Sequence, residues 1–198
     1  MCKRKEKNKI INVNNIKFSH SLDDELVMKL QSEGIVFRSH PRSLMSVNFM
    51  HYNHHFSGIG IRNVHGGIEF CNKDKLEDQL SLVKTGFILI LHAPRCRTAS
   101  LCLFSSIMDY LSYVYLTQHF ILELPQYSDC LIIGDVSNYV ESILETDIYE
   151  QVHCFLPTSD VGQTMYATLK SRNDRKFVDY SDFYSKHISL LGYTNSLR

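Results

Sequence analysis

From Phe87 onward, short apolar runs alternate with longer amphipathic stretches. The runs are residues 87–91 (FILIL), 101–104 (LCLF), 130–133 (CLII), 152–156 (VHCFL) and 177–178 (FV). The stretches cover 107–119, 137–146, 160–171 and 181–191. Strands regularly separated by helices predict an α/β unit whose sheet is mostly parallel, with flanking crossover helices in the order βαβαβα. Ligands on such sheets gather at the carboxyl ends of the strands. Those ends fall at Ser105 and Ser106, at Gly134 and Asp135, and at residues 157–159.

The first half reads differently. Ser21, a capping serine, is followed by LDDELVMKLQSEG, with acids in the first turn, Leu22, Leu26 and Leu30 at helical spacing, and Gly34 as a stop. A short amphipathic helix follows from that pattern, and a second helical stretch is expected over 38–46. Between Val47 and Asn72 the period shortens to two. Ile59 and Ile61 alternate with Gly60 and Arg62, and Ile68 and Phe70 with Glu69 and Cys71, on either side of Gly66 and Gly67. A β-hairpin is the economical reading, with the glycines serving the turn. The expected organisation is a flexible basic lead-in over 1–20, a small α+β region of one helix plus the hairpin over 21–86, and the α/β unit over 87–198.

Composition narrows the class. At 198 residues and 44% hydrophobic the chain has enough apolar material for a substantial core. Its six cysteines, Cys2, Cys71, Cys96, Cys102, Cys130 and Cys154, form no C-x-x-C pair, and several sit inside apolar runs. They read as reduced thiols of a cytoplasmic protein. No stretch approaches the roughly 20 apolar residues that cross a bilayer, so no membrane role is expected. Net charge is zero, but residues 1–100 hold 15 Lys/Arg against 9 Asp/Glu and residues 101–198 hold 6 against 12. Much of the positive excess lies in the first nine residues, where Lys3, Arg4 and Lys5 are candidate phosphate contacts. Arg95 and Arg97, flanking Cys96, are two more.

Other clusters carry less. His51, His54 and His55 lack a nearby cysteine or carboxylate; on one continuous strand His51 and His55 would share a face and His54 would point away. No metal site is expected from them. Ser105 and Ser106 stand at a strand-to-helix turn, but without the G-x-S-x-G frame of a nucleophile elbow. Tyr110, Tyr113, Tyr115 and Phe120 fall on a helix in the acidic half and read as packing residues rather than as a base-stacking platform.

The element order resembles the Toprim fold shared by primases, topoisomerases and some nucleases. LCLFSSIMDYLSYVYL is similar to that family's strand-Glu-Gly-helix segment, with Ser105 and Ser106 in the Glu and Gly positions. VHCFLPTSDVGQTMYATL looks like its strand-Asp-x-Asp segment, with Pro157 and Ser159 where the aspartates stand and only Asp160 and Gly162 retained. FSGIGIRNVHGGIEFCNK, LVMKLQSEGI and FVDYSDFYSKHISLLGYTNSL extend the resemblance to the Toprim primases of Bacteroidetes mobile elements, over most of residues 24–197. No zinc-ribbon spacing is present. In the family, three carboxylates hold Mg²⁺ ions that organise a phosphate. The resemblance therefore implies a catalytically degenerate relative with no resident metal or cofactor. It implies an accessory module in mobile-element replication or mobilisation, with DNA, RNA or a replication or mobilisation protein as partner. The alternative is an active Mg²⁺-dependent nucleotidyl-transfer enzyme, a primase or nuclease, in which Asp109, Asp135 and Asp160 supply the charge. A third reading is a purely structural subunit of a primase complex.

Overall fold

The computed structural model describes residues 10, 11, 13, 15–93, 96–119, 121, 125 and 127–197. They form two sheets and five α-helices. The first sheet has six strands: β1 (Ile10–Ile11), β2 (Lys17–Ser19), β3 (Met45–His51), β4 (His54–Arg62), β5 (Ile68–Asn72) and β6 (Lys75–Leu82), ordered β1-β6-β5-β4-β3-β2. Every pairing is antiparallel except β1 with β6. Helix α1 (Asp24–Ser32) precedes β3. The second sheet has β7 (Ile88–Ile90), β8 (Ser100–Phe104), β9 (Asp129–Ile132), β10 (Gln151–Phe155) and β11 (Phe177–Asp179), ordered β11-β10-β8-β9-β7. Helices α2 (Ile107–Gln118), α3 (Tyr139–Thr146) and α4 (Asp160–Arg172) connect β8 through to β11, and α5 (Leu190–Asn195) ends the fold.

Local chemistry sets the hairpins. Tyr52 and Asn53 both have positive φ, 46° and 62°, so β3 turns into β4 through a two-residue loop whose twist matches the strands. That turn puts His51 directly opposite His54 and Met50 opposite His55. The sharing of one face by His51 and His55 is thereby overturned, because period-two alternation does not run through a turn. The β4–β5 hairpin uses Gly66 at φ 79°, and a Cβ on Gly67 would meet the Lys84 carbonyl at 2.1 Å.

Expectation and structure differ at several points. The second sheet, expected to be mostly parallel, is mixed: β7 runs antiparallel to β9, while β8, β9, β10 and β11 run parallel to one another. Residues 38–46 form no helix and lead into β3. The cap of α1 is Asp23, whose Oδ1 accepts the Leu26 N–H at 2.9 Å, rather than Ser21. Residues 181–191 hold a 3-10 turn at Ser181–Tyr184 and only the start of α5. Residues 10–19, within the expected lead-in, contribute β1, β2 and the buried Val13.

The two sheets share a core. Leu26, Leu30, Ile59, Ile61 and Cys71 from the first half pack in one cluster with Cys102, Phe104, Leu111, Ile132, Phe155 and Leu190 from the second. This cluster lies on the α2 and α5 side of the second sheet. The opposite side, covered by α3 and α4, holds Leu101, Leu103, Leu131, Val152, Cys154, Met165 and Leu169. The outer face of the first sheet is closed by Val13, Met45, Val47, Phe49, Ile68 and Phe70.

Candidate functional site

Ser105 and Ser106 end β8 and open α2. Ser106 caps the helix, its Oγ accepting the Asp109 N–H at 3.1 Å. Asp109 returns the interaction: its Oδ2 accepts from both Ser105 Oγ and Ser106 Oγ, each at 2.8 Å, in the reciprocal manner of a capping box. Its Oδ1 accepts the Leu191 N–H at 3.2 Å, and the Ser189 side chain adds a further bond. The carboxylate therefore ties the first turn of α2 to the first turn of α5, elements 82 residues apart at the Leu191 contact. Burial holds the Asp109 carboxyl above the ordinary aspartate range, and these four donors pull it only part of the way back.

The other sequence candidates occupy separate places. Asp135 follows Gly134, and its Oδ1 caps the 3-10 turn at Val136–Asn138 by accepting the Ser137 N–H at 2.7 Å. Ser159 caps α4, accepting Gly162 N–H at 3.5 Å. Asp160 is exposed in the first turn of α4, a position favourable to the helix dipole. Pro157 is packed against Gly162, where a Cβ would meet the Pro157 carbonyl at 1.9 Å. Arg97 pairs with Glu145 and donates to the Tyr149 hydroxyl oxygen at 3.3 Å, which commits it to the α3 side of the molecule. Lys3, Arg4, Lys5 and Arg95 lie outside the described residues, as does Phe120.

A cleft of about 570 Å³ opens at the strand ends. Ser105, Ser106, Met108, Asp109 and Pro157 line it from the second sheet and α2, Glu77 from β6, and Lys186, His187, Ile188, Ser189, Leu191, Gly192 and Asn195 from the C-terminal segment. It brings together Ser105, Ser106, Asp109 and Pro157 from the sequence candidates, but neither Asp135 nor Asp160 nor Ser159. Sequence reading missed Glu77, Lys186, His187 and Ser189. Their place follows from the return of residues 185–195 over the strand ends, held by Thr158, whose N–H and Oγ1 donate to Ile188 O and His187 O at 2.9 Å each. No local spacing announces that return.

Mg²⁺ is the metal that a Toprim-like scaffold implies, and the donor set does not fit it. The ion wants several oxygen ligands in near-octahedral array, with carboxylates supplying the charge. Asp109 already has both oxygens occupied, Asp135 spends its side chain on a cap, and Asp160 does not line the cleft, which leaves the single exposed carboxylate of Glu77. Among the described residues no group of three His, Cys, Asp or Glu side chains is placed to hold a metal ion.

A second buried carboxylate was not foreseen. Alternation along β5 predicts Glu69 on the solvent side, yet it is fully buried, because that face of the first sheet is covered by the second. Glu69 accepts from Asn63 Nδ2 at 2.9 Å, Ser81 Oγ at 2.9 Å and Gln79 Nε2 at 3.3 Å. Gln79 Oε1 in turn accepts the Ile107 N–H at 3.1 Å, and Gly134, at φ 72°, leaves the space that the Gln79 amide occupies. This network joins β5 and β6 to the base of the cleft. Burial raises the Glu69 carboxyl above the usual glutamate range.

No protein-family model matches the chain, and no curated protein does. Among solved structures it is similar to the primase fragment of the bacteriophage T7 primase-helicase protein, with a TM-score of 0.50 and 13% identity over 89% of this chain and 73% of that one. A weaker likeness, TM-score 0.44 and 10% identity over 83% of this chain and 79% of that one, is to a structure of bacteriophage T7 lagging-strand DNA polymerase interacting with primase domains. No helix among the described residues is long and apolar enough to cross a membrane. Two sheets in this order, with a cleft at the strand ends of the second, give the chain a primase-like fold.

Proposed function

We propose that this chain is a catalytically degenerate, primase-related accessory module of mobile-element replication or mobilisation, one that contacts nucleic acid or a replication protein and transfers no nucleotides. The observation that carries the reading is the chemistry of the strand-end cleft. Where the Toprim resemblance expects Glu-Gly and Asp-x-Asp, the cleft presents Ser105, Ser106 and Pro157, and its buried carboxylate, Asp109, is taken up by four donors. Freeing Asp109 for a metal would uncap α2 and detach α5. The Lys186 ammonium, exposed in the cleft lining, suits a phosphate oxygen better than a cation.

The test is fluorescence anisotropy with labelled single-stranded and duplex DNA at low and moderate salt. The reading expects salt-sensitive binding that survives deletion of residues 1–9, with Lys186→Ala lowering the salt slope by about one. Binding carried by residues 1–9 alone would move the function to protein contacts. Mg²⁺- or Mn²⁺-dependent nucleotide transfer that disappears in Asp109→Asn or Asp160→Asn would replace the reading with that of an active enzyme.

A further inference from the structure

Helix α3 wears its side chains in an unusual arrangement. Its fully buried positions are Ser142 and Thr146, whose hydroxyls bond back to the Asn138 and Ile143 carbonyls at 2.8 and 2.6 Å. Two of its three large aliphatic residues point outward: Val140 is 71% exposed and Leu144 60%, continued by Val136 at 68% before the helix and Ile148 at 57% after it. The four recur at i, i+4 spacing as one ridge, Val136 on the 3-10 turn that leads into α3, Val140 and Leu144 on α3 itself and Ile148 two residues past its end. A helix that serves only its own core turns such a stripe inward. Isolated exposed apolar residues need no explanation, but a contiguous stripe marks an interface.

The ridge is rigidly presented. Tyr139 and Ile143 anchor α3 to the core, the Tyr139 hydroxyl donating to Met165 O at 2.6 Å. Its flank is held by Glu141 bonded to His65 at 3.0 Å and by Glu145 paired with Arg97. Charge selects the occupant. No Lys or Arg occurs from residue 98 to residue 169, and residues 135–150 hold Asp135, Glu141, Glu145, Asp147 and Glu150. The pairs with Arg97 and Arg172 offset two of these. A second copy laid against the same face would bring acid to acid, and a nucleic acid would be repelled.

We infer that the outward face of α3 is a docking surface for a basic amphipathic helix of a protein partner, whose apolar side chains pack on Val136, Val140, Leu144 and Ile148 while its Lys or Arg residues meet the acidic flank. The surface is separate from the strand-end cleft and does not depend on what that cleft binds.

The experiment is fluorescence anisotropy of the full chain with a labelled 18-residue helical peptide bearing leucines at i, i+4 spacing and lysines on its flanks. Two controls accompany it: the same peptide with every lysine changed to glutamate, and a scrambled peptide of identical composition. The basic amphipathic peptide is expected to bind at least about tenfold tighter than either control. A Val140→Ser/Leu144→Ser double variant is expected to abolish that preference with an unchanged melting temperature, since both side chains are exposed. Equal binding of the three peptides, or binding indifferent to the double variant, overturns the inference. So does self-association in sedimentation that the double variant removes, which would name a second copy. Peptide binding that emerges only when residues 1–9 are deleted overturns it too, by making those residues the occupant.

Discussion

Glu69 on β5 and Asp109 in the first turn of α2 are both buried carboxylates wrapped in hydrogen bonds, yet Glu69 is sealed between the sheets whereas Asp109 borders the cleft. Glu69 collects donors from the β4–β5 loop and from β6, and through Gln79 it reaches the amide of Ile107. Asp109 collects donors from its own cap and from α5. Each acts as a stitch between elements distant in sequence. The difference is what lies beside them: Asn63 and Ser81 around Glu69 are buried, while Ser105, Ser106 and Ser189 around Asp109 line the cleft. A carboxylate at a strand end is therefore no sign of catalysis by itself; what its oxygens already hold decides what it is able to do.

That contrast is sharpened first by truncation. Glu69→Ala takes an acceptor from the buried Asn63 and Ser81 and from the half-buried Gln79, and a loss of about 3–4 kcal/mol in urea denaturation is expected, each orphaned buried group costing ~1–3 kcal/mol. Asp109→Ala, whose orphaned serines reach solvent, is expected to cost less, about 2 kcal/mol. Equal losses would break the comparison. Gly134→Ala tests the link between the two sites: it forces φ 72° on a side chain and sets a Cβ 2.5 Å from the Gln79 amide. Its expected cost is about 1–2 kcal/mol.

Acidity supplies a subtler test. Both carboxyls titrate higher in the folded chain than their ordinary values of 4.5 for Glu69 and 3.8 for Asp109. The native state therefore holds these protons more tightly than the unfolded state does. Stability from each group is present below its ordinary value and is lost as pH rises through the raised native one. Relative to the native chain, Glu69→Gln and Asp109→Asn should gain stability as pH increases across that window, read from paired denaturation curves. Variants that lose stability relative to the native chain as pH rises would reverse the sign. The smallest effect belongs to Arg97→Ala, whose half-exposed pair with Glu145 should be worth about 0.5 kcal/mol.

The sequence was most legible where structure is local. The β4–β5 hairpin, α2 and α4 follow from turn residues, period and caps that lie within a few positions of each other. Strand β6, KLEDQLSL, carries too much charge to announce itself; it pairs because β5 precedes it by a two-residue turn and β1 covers its other edge. The antiparallel β7 passes for another parallel strand because nothing in FILIL encodes direction. Glu69 reads as a solvent-facing residue because alternation along one strand says nothing of a second sheet laid over it. Lys186, His187 and Ser189 reach the cleft through the Thr158 contacts and the Asp109–Leu191 bond, pairings that no local spacing specifies. Ser105, Ser106 and Pro157, by contrast, were placed at the strand ends from the run-and-helix rhythm alone.

The proposed function requires that the strand-end cleft carry out no metal-dependent nucleotide transfer. The most direct measurement is nucleotide incorporation on a single-stranded DNA template, with Mg²⁺ or Mn²⁺, comparing the full chain with Asp109→Asn and Asp160→Asn. The same background is expected for all three. Product made by the unaltered chain and lost in either variant would contradict it.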